Sequence, residues 1–129
     1  MSSDRPVASR IPIIKIGTHL IVPIQVDMTD QMVNDLQINV LAAIERTGAR
    51  GVLIDISVLE MVDSFIGRML SGIARMASVM DAVVVIVGMQ PAVAITLVEL
   101  GLEMKGIDYA LNIEDGMALL DRRLQEAEA

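Results

Sequence analysis

The chain has 129 residues, enough for one domain with one core; 53% are hydrophobic, yet there is one Phe, one Tyr and no Trp, so the interior must be aliphatic and padded by ten methionines. Seventeen acidic residues against ten basic ones give a net charge of −7, which argues against nucleic acid, whose phosphates need Lys and Arg, and fits a basic protein partner. Having no cysteine, the chain has no disulfide, thiol catalysis or cysteine-ligated metal, and a mean hydropathy of +0.58, high for a small soluble protein, points to apolar surface covered by partners.

Residues 1–10 read as a short flexible arm, whose Arg5 and Arg10 are followed by no signal-type apolar core. The runs Ile11 to Ile16 and Leu20 to Val26, separated by Gly17-Thr18-His19, predict a β-hairpin. Pro12 and Pro23 suit edges or strand ends, because proline donates no ladder hydrogen bond. Thr29 or Asp30 can cap a helix that runs to about Thr47. Met32, Val33, Leu36, Val40, Leu41 and Ile44 recur on one face of it, with Asp35, Asn39 and Glu45 off that face. Gly48 ends this helix and Gly51 opens the strand Val52 to Ile56.

A helical pattern begins near Ser64. It is expected to bury Phe65, Met69, Ile73, Met76 and Met80, with Arg68, Arg75 and Ser78 off the stripe. Ala82 to Val87 is the next strand. Its apolar run stops at Gln90-Pro91, far short of the roughly 20 residues a membrane span needs. Pro91 suits the first turn of a helix that ends at Gly101. Ile107 to Leu111 is a short strand, and Asn112 to about Glu126 a final amphipathic helix. The order β-β-α-β-α-β-α-β-α predicts a single α/β domain: a mixed, mostly parallel sheet with helical crossovers and an antiparallel hairpin at one edge.

Several chemistries find no support. His19 is the only histidine and reads as a polar turn residue; with no cysteine, a zinc site is nearly excluded. There is no Gly-x-Ser-x-Gly elbow, Gly-x-Gly-x-x-Gly or P-loop. Glu60 and Asp63 read as a solvated acidic loop, since no second catalytic group is placed nearby. We therefore expect no enzymatic activity and no cofactor or metal. Asp63-Ser64 stands out because it falls at a strand-loop-helix corner. There a serine ordinarily caps the helix, but its hydroxyl is also an exposed chemical handle. The capping box is incomplete, as Gly67 stands three residues on instead of Glu or Gln. That glycine leaves the first turn bare for another protein's surface, or permits close packing on the sheet. An acyl-carrier reading, with Ser64 bearing a phosphopantetheine arm, conflicts with the β-branched strand just before Asp63 and with the further strand patterns, because such carriers are all-helical.

The segment from Val52 to Leu70 resembles the switch region of the STAS-domain family, the anti-sigma-factor-antagonist fold. Ile11-Pro-Ile-Ile-Lys15 and Leu20-Ile-Val-Pro-Ile-Gln25 resemble the opening hairpin of stressosome STAS proteins. Thr47-Gly-Ala-Arg-Gly-Val-Leu-Ile-Asp55 and Val62-Asp-Ser-Phe-Ile66 resemble their central strand and switch. Gly88-Met-Gln-Pro-Ala-Val-Ala-Ile-Thr-Leu-Val-Glu-Leu-Gly101 resembles the stressosome branch more than the simple antagonists. Serine at the switch, and no room for an added N-terminal sensory domain, favour the short scaffold type of that branch.

The resemblance implies a STAS domain over residues 11–126 and a cytoplasmic scaffold that self-associates in a large complex with RsbR-type STAS paralogues. It implies capture of an RsbT-type serine/threonine kinase, released when Ser64 is phosphorylated. Asp63, Phe65 and Gly67 would then lie in the kinase-docking surface. Asp30 would supply fixed negative charge at the same sheet end, where paralogues often carry a second phosphorylatable threonine. The same-fold alternative is a simple antagonist that binds an anti-sigma kinase directly.

Overall fold

The computed structural model describes residues 11–25, 27–101 and 106–128; the arm expected over residues 1–10, and Val26 at the end of the second expected strand, lie outside them. In chain order the elements are β1 (Ile14–Ile16), β2 (His19–Pro23), α1 (Asp30–Thr47), β3 (Gly51–Asp55), α2 (Ser64–Val79), β4 (Val83–Val87), α3 (Pro91–Glu99), β5 (Ile107–Ala110) and α4 (Ile113–Glu128). The strands lie side by side in the order β1-β2-β3-β4-β5. β1 is antiparallel to β2, and each later pair is parallel. This is the single α/β domain with a mixed sheet that the alternation of patterns predicts.

The centres of β2 (Leu20, Ile21, Val22) and β3 (Val52, Leu53, Ile54) and the whole of β4 are apolar because both faces of the sheet are covered. Successive side chains point to opposite faces. Leu20, Val22, Val52, Ile54, Val84 and Ile86 face the larger core, where α1, α2 and α3 contribute Leu36, Val40, Leu70, Ile73, Val93 and Leu97. Ile21, Leu53, Val85 and Val87 face a smaller core closed by Leu120 of α4.

Local signals set the helix ends. Thr29 caps α1, its Oγ1 accepting from the Met32 N–H at 3.1 Å, which decides between the two caps the sequence allowed. Gly48 ends α1 in the left-handed region at φ +71°, where its N–H reaches the Ile44 carbonyl. Pro91 opens α3, as its missing N–H allows.

Two expectations need correction. His19 is not a turn residue. Gly17, at φ +60°, and Thr18 complete the hairpin turn, so His19 pairs with Ile16 as the first residue of β2 and is only 4% exposed. Its Nε2 lies 2.7 Å from Asp121 Oδ1 on α4. The second correction concerns the α2 stripe. Met69 and Ile73 are buried as expected, but Met76 is exposed, and Phe65 and Met80 are only partly buried. The buried face runs instead through Gly67, Met69, Leu70, Gly72, Ile73, Ala74 and Ala77. The helix packs on the sheet and on α1 at once, so its covered face is wider than one stripe and is centred on its small residues.

Candidate functional site

The parallel strands β2 to β5 all end at one edge of the sheet, and α1 to α4 all begin there. Four helix N-termini thus point their partial positive charge toward this edge. β3 ends at Asp55, whose Oδ1 accepts the Ser57 N–H at 2.9 Å. The chain then crosses residues 56–63 to α2. Buried Leu59 and Val62 tether this crossing from inside, while Glu60 and Met61 face outward.

Asp63, not Ser64, caps α2. Its backbone is extended and its Oδ1 accepts the Ile66 N–H at 2.8 Å. Ser64 is the first helical residue, partly exposed, and its Oγ accepts a long bond of 3.4 Å from Arg68 Nη2. The hydroxyl is therefore not committed to holding the helix end. Phe65 and Ile66 are half-buried against the main core. Gly67 is buried, with its N–H on the Asp63 carbonyl at 3.0 Å, so of the two readings of that glycine, close packing is the one the structure supports.

The site residues named from the sequence divide into two groups. Asp63, Ser64, Phe65 and Gly67 share the first turn of α2. Asp30 is the first residue of α1, exposed at the same sheet edge on the helix that packs beside α2. A groove of about 370 Å³ runs between the two loops, with Gln25, Asp27 and Met28 on one side and Met61, Asp63 and Ile66 on the other. Carboxylates of Asp27, Asp30, Glu60 and Asp63 make this end of the molecule acidic.

Sequence reasoning missed the support beneath the switch loop. Gln90 Nε2 donates to the Ser57 carbonyl at 2.9 Å, tying the β3–α2 crossing to the start of α3. Gly88, at φ +77°, lies so close to Ser57 that an added Cβ would meet the serine Cβ at 2.6 Å. The signal was present as Gly88 and Gln90 just before Pro91, but the partner stands 33 residues upstream. Arg68 was read only as a residue off the apolar stripe. Among the described residues no group of three His, Cys, Asp or Glu side chains could hold a metal ion, and no helix is long and apolar enough to cross a membrane.

The STAS-domain pattern matches residues 10–115, and the chain belongs to the STAS-domain family. Within that family it is similar to a variant of RsbS from Moorella thermoacetica in which one serine is replaced by glutamate. The two are 37% identical over 89% of this chain and 97% of the other, with a TM-score of 0.82. It is also similar to a chain of the stressosome, described as a signal integration and transduction hub, at 39% identity over 88% of this chain and 98% of the other, with a TM-score of 0.79. These two structures bear out the likeness to the short scaffold type of the stressosome branch. A Thermotoga maritima protein described as a candidate anti-sigma factor antagonist shares the fold at 17% identity and a TM-score of 0.68, over 87% of this chain and 95% of the other. No curated protein matches the sequence.

Proposed function

We propose that this chain is a non-enzymatic stressosome scaffold of the RsbS type, working in the cytoplasm through a STAS domain over residues 11–126. It co-assembles with RsbR-type paralogues, holds an RsbT-type serine kinase at the acidic sheet edge, and releases it when Ser64 is phosphorylated. The observation that carries the reading is the division of labour at the start of α2. Asp63 takes the capping bond, and Ser64 keeps a hydroxyl at the surface with no structural duty to give up. The similarity to RsbS and to a stressosome chain supports the assembly part.

In the phosphorylation step the Ser64 Oγ forms a bond to the γ-phosphorus of ATP. The bond from that phosphorus to the bridging oxygen breaks, ADP leaves, and the hydroxyl proton passes to a base of the kinase. The product gains about −1.5 to −2 charges at neutral pH. Helix α2 tolerates them, because its N-terminal dipole favours negative charge. The change acts on the docked kinase: new charge and its hydration shell are forced into a surface formed by Asp63, Phe65 and Asp30, with the buried Gly67 beneath it. Peptide mass spectrometry after incubation with an RsbT-type kinase and Mg-ATP tests this, beside a Ser64→Ala control. A single phosphate on Ser64, absent from the control, is the expected result. No phosphate, or one elsewhere, overturns the assignment.

A further inference from the structure

Arg68 stands one helical turn beyond Ser64 on the exposed side of α2, with Nη2 3.4 Å from the serine Oγ. A bond that long to a neutral hydroxyl is weak. It nevertheless places a guanidinium directly over the atom that a kinase would modify. We infer that Arg68 holds the phosphate once Ser64 carries it, closing a latch across the first turn of α2. The inference rests on the reading of Ser64 as phosphoacceptor.

Three features carry it. Residues four apart on a helix are surface neighbours, so the latch needs no backbone movement, only a rotamer adjustment of Arg68. The residue three positions on, Gly67, is buried and has no side chain to reach into the path between Ser64 and Arg68. The third feature is charge. Asp63 is already engaged at the helix end and puts a carboxylate beside the phosphate, which repels it. Arg68 is the one cationic residue between Glu60 and Arg75 in the sequence, and it supplies the opposing charge. Its planar fork matches phosphate oxygens with two parallel N–H donors, and a charge-assisted bond replaces a neutral one.

The latch does two things to the surface. It fixes the phosphate against the first turn of α2 instead of leaving it to swing. It also takes the guanidinium away from any acidic group of a docked kinase, so a docking contact is lost at the moment a repulsive charge is gained.

The test is a phosphorus NMR titration of the full chain with phosphoserine installed at position 64 during translation. It is run on the otherwise native chain and on the Arg68→Gln and Arg68→Lys variants. A cation beside the phosphate favours the dianion and lowers its second ionisation. Asp63 raises that ionisation equally in all three proteins and cancels from the differences. The native chain is expected to titrate about 0.2–0.4 pH units below Arg68→Gln, the size of an exposed charge pair four residues apart, with Arg68→Lys recovering part of the shift. The difference should collapse in 1 M salt, where the screening length is about 3 Å. Native and Arg68→Gln proteins that titrate together overturn the latch. Because the phosphate is installed without a kinase, this result does not depend on which kinase acts, and a kinase that ignores Ser64 is detected separately by the mass spectrometry above.

Discussion

At the residue scale the corner Asp63-Ser64 carries the main consequence. Both side chains are good helix caps, so the sequence placed the corner but left the choice of cap to backbone geometry. Asp63 has the extended backbone of a cap and takes the Ile66 N–H, while Ser64 is already helical. Asp63→Ala should therefore cost about 1 kcal/mol and lower the melting temperature by about 4 °C, whereas Ser64→Ala should change stability by less than about 0.5 kcal/mol. Calorimetry on the two variants decides it, and a larger loss for Ser64→Ala would return the serine to a purely structural role. Asp30 is a weaker case. It is exposed and is not the cap of its helix. If it supplies fixed negative charge to the docking edge, Asp30→Ala should slow kinase capture by about two- to fivefold at low salt, as loss of a rim charge does. Unchanged capture and release sink that role.

At the scale of elements the two periods, 2 for strands and 3.6 for helices, were enough to place the nine elements of the described residues and the parallel sheet, although β1 is exposed along its length and was legible only from the hairpin spacing. The misreadings have non-local causes. His19 follows Gly17-Thr18 and looks like part of the turn; its burial depends on Asp121, 102 residues away. Asp121→Ala strips Nε2 of that partner on a ring whose Nδ1 is already unpaired, and should cost about 1 kcal/mol, readable as a lower urea midpoint at unchanged slope. Gly116 gave no signal beyond being an unfavourable residue inside an amphipathic helix. The structure supplies the reason: a Cβ there would meet Val87 Cγ1 at 2.6 Å and Leu53 Cδ1 at 2.7 Å, both in buried side chains. Helix propensity favours Gly116→Ala by about 1 kcal/mol, but crowding a packed core costs about 1–3 kcal/mol. Sterics should win, leaving a protein less stable than the native chain by denaturant titration. A stabilised variant would mean that α4 can lift off the sheet at little cost. The tether from Gln90 to Ser57 was invisible for the same reason as His19, since spacing along the chain cannot report a contact between two loops.

At the scale of the whole molecule, charge and apolar surface pull in different directions. A net charge of −7 keeps copies apart, yet Ile95, Val98, Tyr109, Leu111 and Ile113 stay exposed on α3, β5 and the start of α4. A chain that stayed small and alone would gain nothing from that apolar surface, whereas a subunit of an assembly covers it. The scaffold and antagonist readings therefore differ in particle size. Mixed with an RsbR-type paralogue, a scaffold should sediment as one species far larger than either protein alone; an antagonist should leave two small boundaries. Ser64→Asp links assembly to the switch. The position is partly exposed and uncoupled from the cap, so circular dichroism and particle size should match the native protein. Capture of the kinase should weaken by about tenfold or more, since an aspartate places fixed charge and its hydration in the docking surface, a loss of about 1.4 kcal/mol or greater. Ser64→Ala, which adds no charge, should capture the kinase as the native protein does and fail to release it on addition of ATP. An Asp variant that assembles normally and binds the kinase with native affinity would separate Ser64 from release, leaving the scaffold without its switch.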